Sequence, residues 1–121
     1  MIKLLPDVDT GIDDALALFF LSEAQKHGQL EILGCTTVGG NAEVAQTSRN
    51  TLKICEMAGA KIPVASGAER PLLSSLNTAP LVHGDDGLGN TFLPAPKESP
   101  SEESAADMIL HLSHQYAGEL T

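Results

Sequence analysis

Four aspartates lie within eight residues near the start of the chain, where a strand-like run passes into a helix-like one. They are Asp7, Asp9, Asp13 and Asp14, in the segment DVDTGIDD. Carboxylates crowded into a partly dry site repel one another, and one is driven towards protonation unless a cation lies between them. Calcium suits such donors better than zinc because it prefers many hard oxygens and tolerates irregular geometry, and magnesium is an alternative. The cluster therefore indicates a divalent-cation site.

The same residues have two other interpretations. One needs no metal site, and the other places the acids in a different kind of enzyme. Asp9 or Thr10 could cap the following helix while Asp13 and Asp14 complement its dipole, an effect of about 0.3–1 kcal/mol per group. This accounts for two of the acids but poorly for all four. An Asp-x-Asp pattern after a first strand is also typical of phosphatases of the haloacid dehalogenase type. Those have Thr or Val where this chain has Gly11, which disfavours a phosphatase.

The residues around the cluster alternate between strand-like and helix-like patterns. Residues 2–5 form an apolar run typical of a buried strand, and Ile12 to about His27 has helical apolar spacing, with Gly28 as the helix terminator. Apolar residues cover most of this helix, so we expect it to be buried on more than one side. The next predicted elements are a strand at 30–38, a helix at 42–58 and a strand at 62–65. This order predicts an α/β fold with a mostly parallel sheet flanked by helices.

The second half of the chain contains a long connection and one more helix. Residues 66–98 are rich in Pro and Gly, and a connection of this length usually carries function or is disordered. Ser99 is then the predicted N-cap of a helix, with Pro100 and Glu102 completing a capping box. The predicted apolar stripe of this helix is Ala105, Ile109, Leu112 and Tyr116. For the helix at 42–58, the residues predicted to lie along one buried side are Ala45, Ser48, Leu52, Cys55 and Ala58. Residues 119–121 resemble the start of another strand, so we expect a truncated chain.

Composition excludes several classes of protein. The formal net charge of −9 disfavours nucleic-acid binding, which needs clustered Lys and Arg. No apolar run reaches the ~20 residues of a membrane span, and the first residues do not resemble a signal peptide. Cys35 and Cys55 are expected to be buried, reduced thiols. We therefore expect a cytoplasmic protein without nucleic-acid or membrane partners.

Three segments resemble one enzyme family. DVDTGIDDALAL resembles the signature of the inosine–uridine-preferring nucleoside hydrolase family, Asp-x-Asp-x-Gly-x-Asp-Asp-Ala. TTVGGN, which ends at Asn41, and VHGDDGLGN, from Val82 to Asn90, agree with the family in order and spacing. The resemblance implies a Rossmann-like fold in which residues 1–121 are the N-terminal portion of a single nucleoside hydrolase domain. It also implies that residues 66–98 contain a flap over the active site.

The resemblance assigns roles to individual side chains. It implies that Asp9 and Asp14 are ligands of Ca²⁺ and that Asp9 also accepts the proton of the attacking water. Asp13 and Asn41 would hydrogen-bond the ribose hydroxyls. His83, in the flap, would approach the sugar, although an exposed loop histidine is the alternative.

Two further sets of acids have less direct roles. Asp7 would orient its neighbours in a second layer of the site. Asp85 and Asp86 are expected to be surface charges of the loop.

The implied reaction is hydrolysis of the N-glycosidic bond of ribonucleosides in nucleoside salvage, through an oxocarbenium-like sugar. The groups that act on the departing base and the remaining calcium ligands are expected beyond Thr121, so residues 1–121 alone should bind calcium poorly and be inactive. Family members commonly form dimers or tetramers, which implies a homo-oligomer. The alternative is that the short chain is a non-catalytic interaction protein or a remnant of the fold, with its sheet edge covered by a partner.

Overall fold

The strands of the structure all pair in parallel, as an α/β fold requires. A computed structural model describes residues 1–121 of the chain. In chain order the elements are β1 (Ile2–Leu4), β2 (Asp7–Val8), α1 (Ile12–Lys26), β3 (Leu30–Ile32), β4 (Cys35–Thr37), α2 (Val44–Met57), β5 (Val64–Ser66), α3 (Pro80–His83) and α4 (Ala105–Gln115). The predicted fold class is confirmed.

The strands form a two-stranded and a three-stranded parallel sheet. β1 pairs with β3, β2 pairs with β4, and β4 pairs with β5. Pro6 separates β1 from β2, and Gly34 lies between β3 and β4, so the strand predicted at residues 30–38 is two segments. Thr36 N donates to Pro6 O at 2.9 Å, at the point where the two-stranded sheet passes into the three-stranded one. Ile2 is 56 % exposed, so the first strand is less buried than predicted.

Helix α1 has the predicted length, but its burial was predicted wrongly. It begins at Ile12 and ends at Lys26, and Gly28 follows with a φ of 69°. Leu16 is 73 % exposed and Phe20 is 70 % exposed, because the helix packs against α2 and β3 on one side only. The side that it buries carries Ala15, Leu18, Ser22 and Ala24.

The main core lies between α1, α2 and the sheet. Leu18, Leu52 and Val64 belong to this cluster, together with both cysteines. Cys35 and Cys55 are free and buried, as predicted. Burial raises the pKa of the Cys55 thiol to about 11 and raises that of Cys35 further, which leaves both thiols poorly reactive. On α2 the predicted buried side is confirmed except for Ala45, which is exposed.

Helix α4 begins later than predicted. Its N-cap is Ser104, whose hydroxyl accepts from Asp107 N at 3.1 Å. Ser99 is not the cap, because Ser101 donates from N and from Oγ to Val64 O at 2.7 and 2.9 Å and so holds the preceding segment against β5. The residues that α4 buries are Ala105, Met108 and Leu112, whereas Ile109 is 41 % exposed.

The last residues lie beside the first strand. Leu120 forms a parallel bridge with Lys3, and Thr121 N donates to Lys3 O at 2.8 Å. This confirms the strand-like character predicted for residues 119–121. Among the helices, none combines the length and the apolar character required to cross a bilayer.

Candidate active site

The four acids lie where the parallel strands end. Asp7 belongs to β2, Asp9 follows that strand, and Asp13 and Asp14 occupy the first turn of α1. Asn41 follows β4, the neighbour of β2 in the sheet. Because the carboxyl ends of parallel strands meet at one edge, this is the position where α/β proteins bind ligands.

Asp9 and Asp14 are in direct contact. The main-chain N–H of Asp9 donates to Asp14 Oδ2 at 3.1 Å. Partial burial raises the pKa of Asp14 from its ordinary value of 3.8 to about 6, and the negative charge of Asp13 and a side-chain hydrogen bond with Asp9 raise it as well. The carboxylate crowding predicted from the sequence is therefore present at this pair.

Asn41 fixes the Asp9 carboxyl from the other side. Asn41 N donates to Asp9 Oδ2 at 2.9 Å, and Asn41 Nδ2 donates to Asp9 O at 3.2 Å. Gly40 lies directly against the same carboxyl, since a Cβ at Gly40 would collide with Asp9 Oδ2. Asp9 is thus held both by the main chain of the turn after β4 and by the side-chain amide of Asn41.

Asp7 is separate from this group. Its Oδ1 accepts a hydrogen bond from Thr36 Oγ1 at 2.7 Å, across the pairing of β2 with β4. Asp7 is therefore hydrogen-bonded to the neighbouring strand β4. It lies within β2, before the residues that follow the carboxyl end of that strand.

His83 reaches the beginning of α1 from the long loop. Its Nδ1 accepts from Ile12 N at 3.0 Å, so the neutral ring carries its proton on Nε2. The side chain is 12 % exposed, which excludes the alternative of a solvent-exposed loop histidine. Asp13 Oδ1 lies 4.0 Å from the same nitrogen, and the Asp13 side chain is 77 % exposed. Asp13 thus faces solvent beside the largely buried ring of His83.

The loop that carries His83 is organised by Asp86. The Asp86 carboxylate accepts from the main-chain N–H groups of Leu88, Asn90 and Phe92, each at 2.8 Å. Burial alone would raise the pKa of Asp86, but these three donors outweigh it and lower the pKa below its usual value. Asp86 is therefore more than the surface charge that we predicted.

A buried polar layer below the site was not predicted. Thr10, Asn50 and Thr51 are each 0 % exposed, and the hydroxyls of Thr10 and Thr51 lie 2.7 Å apart. Asn50 Nδ2 donates to Thr10 O at 3.3 Å and to Asp86 O at 2.9 Å. The available signal was the polar side of α2, where Thr47, Asn50 and Thr51 recur at helical spacing.

The carboxylate oxygens of the site provide some, but not all, of the ligands that a hard cation requires. The Asp14 carboxyl is hydrogen-bonded to both the main-chain N–H and the side chain of Asp9, but no group of three or more His, Cys, Asp or Glu side chains is arranged to hold a metal ion. Calcium takes about six to eight oxygen ligands. These two carboxyls therefore fit such an ion as part of its coordination shell.

Comparison with known proteins gives one family. The family profile described as inosine-uridine preferring nucleoside hydrolase matches residues 4–121. Uridine nucleosidase 1 of Arabidopsis thaliana is 42 % identical, with 98 % of this chain and 35 % of that protein aligned. The inosine-uridine preferring nucleoside hydrolase of Crithidia fasciculata is 35 % identical, with 93 % of this chain and 36 % of that protein aligned.

A solved structure agrees with these relatives. The plant nucleoside hydrolase PpNRh1 superposes with a TM-score of 0.90 at 34 % identity, and the alignment covers 98 % of this chain and 37 % of that one. The chain thus spans a little over a third of the length of the proteins that it matches. The matches in sequence and in structure agree, and the chain belongs to the inosine-uridine preferring nucleoside hydrolase family.

Proposed function

We propose that the protein containing this chain hydrolyses the N-glycosidic bond of ribonucleosides, with residues 1–121 as the N-terminal portion of a single nucleoside hydrolase domain. The observation that carries the proposal is the contact of Asp9 with both Asp14 and Asn41 at the carboxyl edge of the sheet. Family membership supports the same reaction. It gives no support to the alternative of an Asp-dependent phosphatase.

We assign Asp9 and Asp14 as carboxylate ligands of Ca²⁺. When bound, calcium supplies positive charge that lowers the pKa of water and neutralises the crowded carboxyls. The raised pKa of Asp14 supports this assignment, because partial burial and the neighbouring charge of Asp13 disfavour an ionised Asp14 carboxyl that has no cation beside it.

Asp9 is the proposed general base. A base must be held within hydrogen-bond reach of the water that it deprotonates, and Asn41 N–H holds the Asp9 carboxyl in one orientation. Carboxylates near the anomeric carbon also favour the positive charge that develops on the sugar. Asp9 therefore contributes to the reaction both as a proton acceptor and as a negative charge.

The sugar is proposed to bind over Asp13, Asn41 and His83. Asp13 is exposed enough to accept from a ribose hydroxyl, and His83 stands beside it. Asp7 would act from the second layer, through Thr36. We include residues 66–98 in the site as its flap, because His83 lies within them and bonds to α1.

A ribose-release assay tests the proposal. Uridine and inosine should yield reducing sugar in the presence of calcium, and chelation should abolish the release. Asp9→Asn should lower kcat by about 10²- to 10⁴-fold, the usual contribution of a general base, while its amide oxygen keeps the bond from Asn41 N. Asp85→Asn, which changes an exposed carboxyl, is the matched control.

Three results would contradict the proposal. One is the absence of ribose release from every nucleoside tried, which would favour the non-catalytic interaction protein. Another is phosphate release from a phosphomonoester that depends on Asp9. The third is full activity after removal of divalent cations.

A further inference from the structure

Asn50 occupies a buried position between two segments that both reach the proposed site. It lies on α2 and is 0 % exposed. Gln46 Nε2 donates to its Oδ1 at 2.8 Å, and its Nδ2 donates to Thr10 O and to Asp86 O. Each polar atom of this amide thus has a protein partner. Because both partners of Nδ2 are carbonyls, the orientation of the amide is fixed.

The first of these segments carries the carboxylates. Thr10 separates Asp9 from Gly11, and its own side chain is fully buried against Thr51. The bond from Asn50 therefore holds the main chain one residue from Asp9 and two residues from the start of α1.

The second segment is the loop that carries His83. Asp86 braces residues 86–92 from within, and Gly89 N donates to His83 O at 2.7 Å. These bonds connect the loop around Asp86 to His83, so a bond at Asp86 O restrains His83 as well. Gly87 leaves room for this bond, since a Cβ there would lie 2.8 Å from Asn50 Nδ2.

We infer that Asn50 is a positioning residue for the proposed reaction: its amide clamps the flap to the carboxylate turn and so sets His83 and Asp13 for the sugar. This inference rests on the proposed function. Other polar connections of the flap to the site include Ile12 N to His83 Nδ1 and Ala79 N to Asn41 O, at 3.0 Å each, and Gly39 N to Ala68 O at 2.9 Å. Two side chains make these links, those of Asn50 and His83, and of the two Asn50 is fully buried.

The test compares Asn50→Leu with Thr51→Val in the full-length protein. Both variants remove buried polar contacts to Thr10, but Thr51 has no hydrogen bond to the flap. In Asn50→Leu, hydrogen exchange at the amides of residues 88–92 should accelerate by roughly ten- to a hundredfold, the range expected when a buried carbonyl loses its donor. KM for uridine should rise by a similar factor, and kcat should change less. Thr51→Val should lower the unfolding temperature without changing KM or loop exchange.

Two results would contradict the inference about Asn50. If loop exchange in Asn50→Leu equals that in Thr51→Val, or if kcat falls while KM is unchanged, Asn50 is not a positioning residue. Should the leucine variant fail to fold, Asn50→Ser leaves room for the chain and removes the same donor. The exchange measurement needs no activity, so it tests the clamp even if no nucleoside is hydrolysed. Failure of the proposed function is thereby distinguished from failure of this inference.

Discussion

Replacing Asp14 with Asn should stabilise the metal-free protein against unfolding at neutral pH. The pKa of Asp14 rises from 3.8 to about 6 in the folded state, mainly because the carboxyl is partly buried. A carboxyl group with a raised pKa binds its proton more tightly in the folded protein than in the unfolded chain. The contribution of Asp14 to stability is therefore greatest below pH 4 and is lost as the pH rises through 6. Asparagine cannot ionise, and its amide oxygen can still accept from Asp9 N.

The size of the effect follows from the same shift. A change in pKa of about two corresponds to a ceiling of about 3 kcal/mol above pH 6, at ~1.36 kcal/mol per pKa unit. Asp14 remains partly exposed, so solvent screening reduces this ceiling, and we expect a gain of about 1 kcal/mol. Below pH 4 the difference between the variant and the parent protein should vanish.

Urea unfolding of both proteins from pH 4 to pH 8, in the presence of a chelator, measures this difference. Asp85→Asn is the control, because it removes an exposed carboxyl of the loop. Calcium should then stabilise the parent protein and have less effect on Asp14→Asn. A variant that is less stable at pH 7, or a difference that does not vary with pH, would refute the reasoning about carboxylate crowding.

Three other predictions follow from the structure. Ser104→Ala should cost about 1 kcal/mol of stability through loss of the N-cap of α4, whereas Ser99→Ala should change stability by less than about 0.5 kcal/mol; equal effects in thermal unfolding would contradict the observed start of the helix. Residues 1–121 alone should bind calcium poorly, because two carboxyls provide only part of the usual shell; a calorimetric titration with tight binding would show this to be wrong. Thr36→Val should lower activity modestly by releasing Asp7, and a ribose-release assay with no change would remove Asp7 from the site.

The sequence predicted those features that depend on local periodicity. The parallel α/β order, the span of α1 and the juxtaposition of Asp9 with Asp14 follow from apolar spacing and from four acids at one strand–helix junction. The start of α4 was missed because Ser99 and Ser104 are both acceptable caps. Only the tertiary bonds of Ser101 to β5 distinguish them.

Burial and long-range contacts were harder to predict. The exposure of Leu16 depends on how many elements pack around α1, which the residues of the helix do not determine. The Asn50 amide joins residues 10 and 86 across the fold, and a single polar residue on a helix gives no indication of partners so far away in sequence. His83 was placed near the site by family resemblance, whereas its bond to Ile12 N emerged only from the structure.

Gly40 shows that a position without any functional group can be inseparable from the proposed chemistry. Its α-carbon stands where any larger residue would displace the Asp9 carboxyl. The constraint on this position is thus one of volume. An inventory of acids, bases and ligands omits it, yet the orientation of the general base depends on the empty space that glycine leaves beside it.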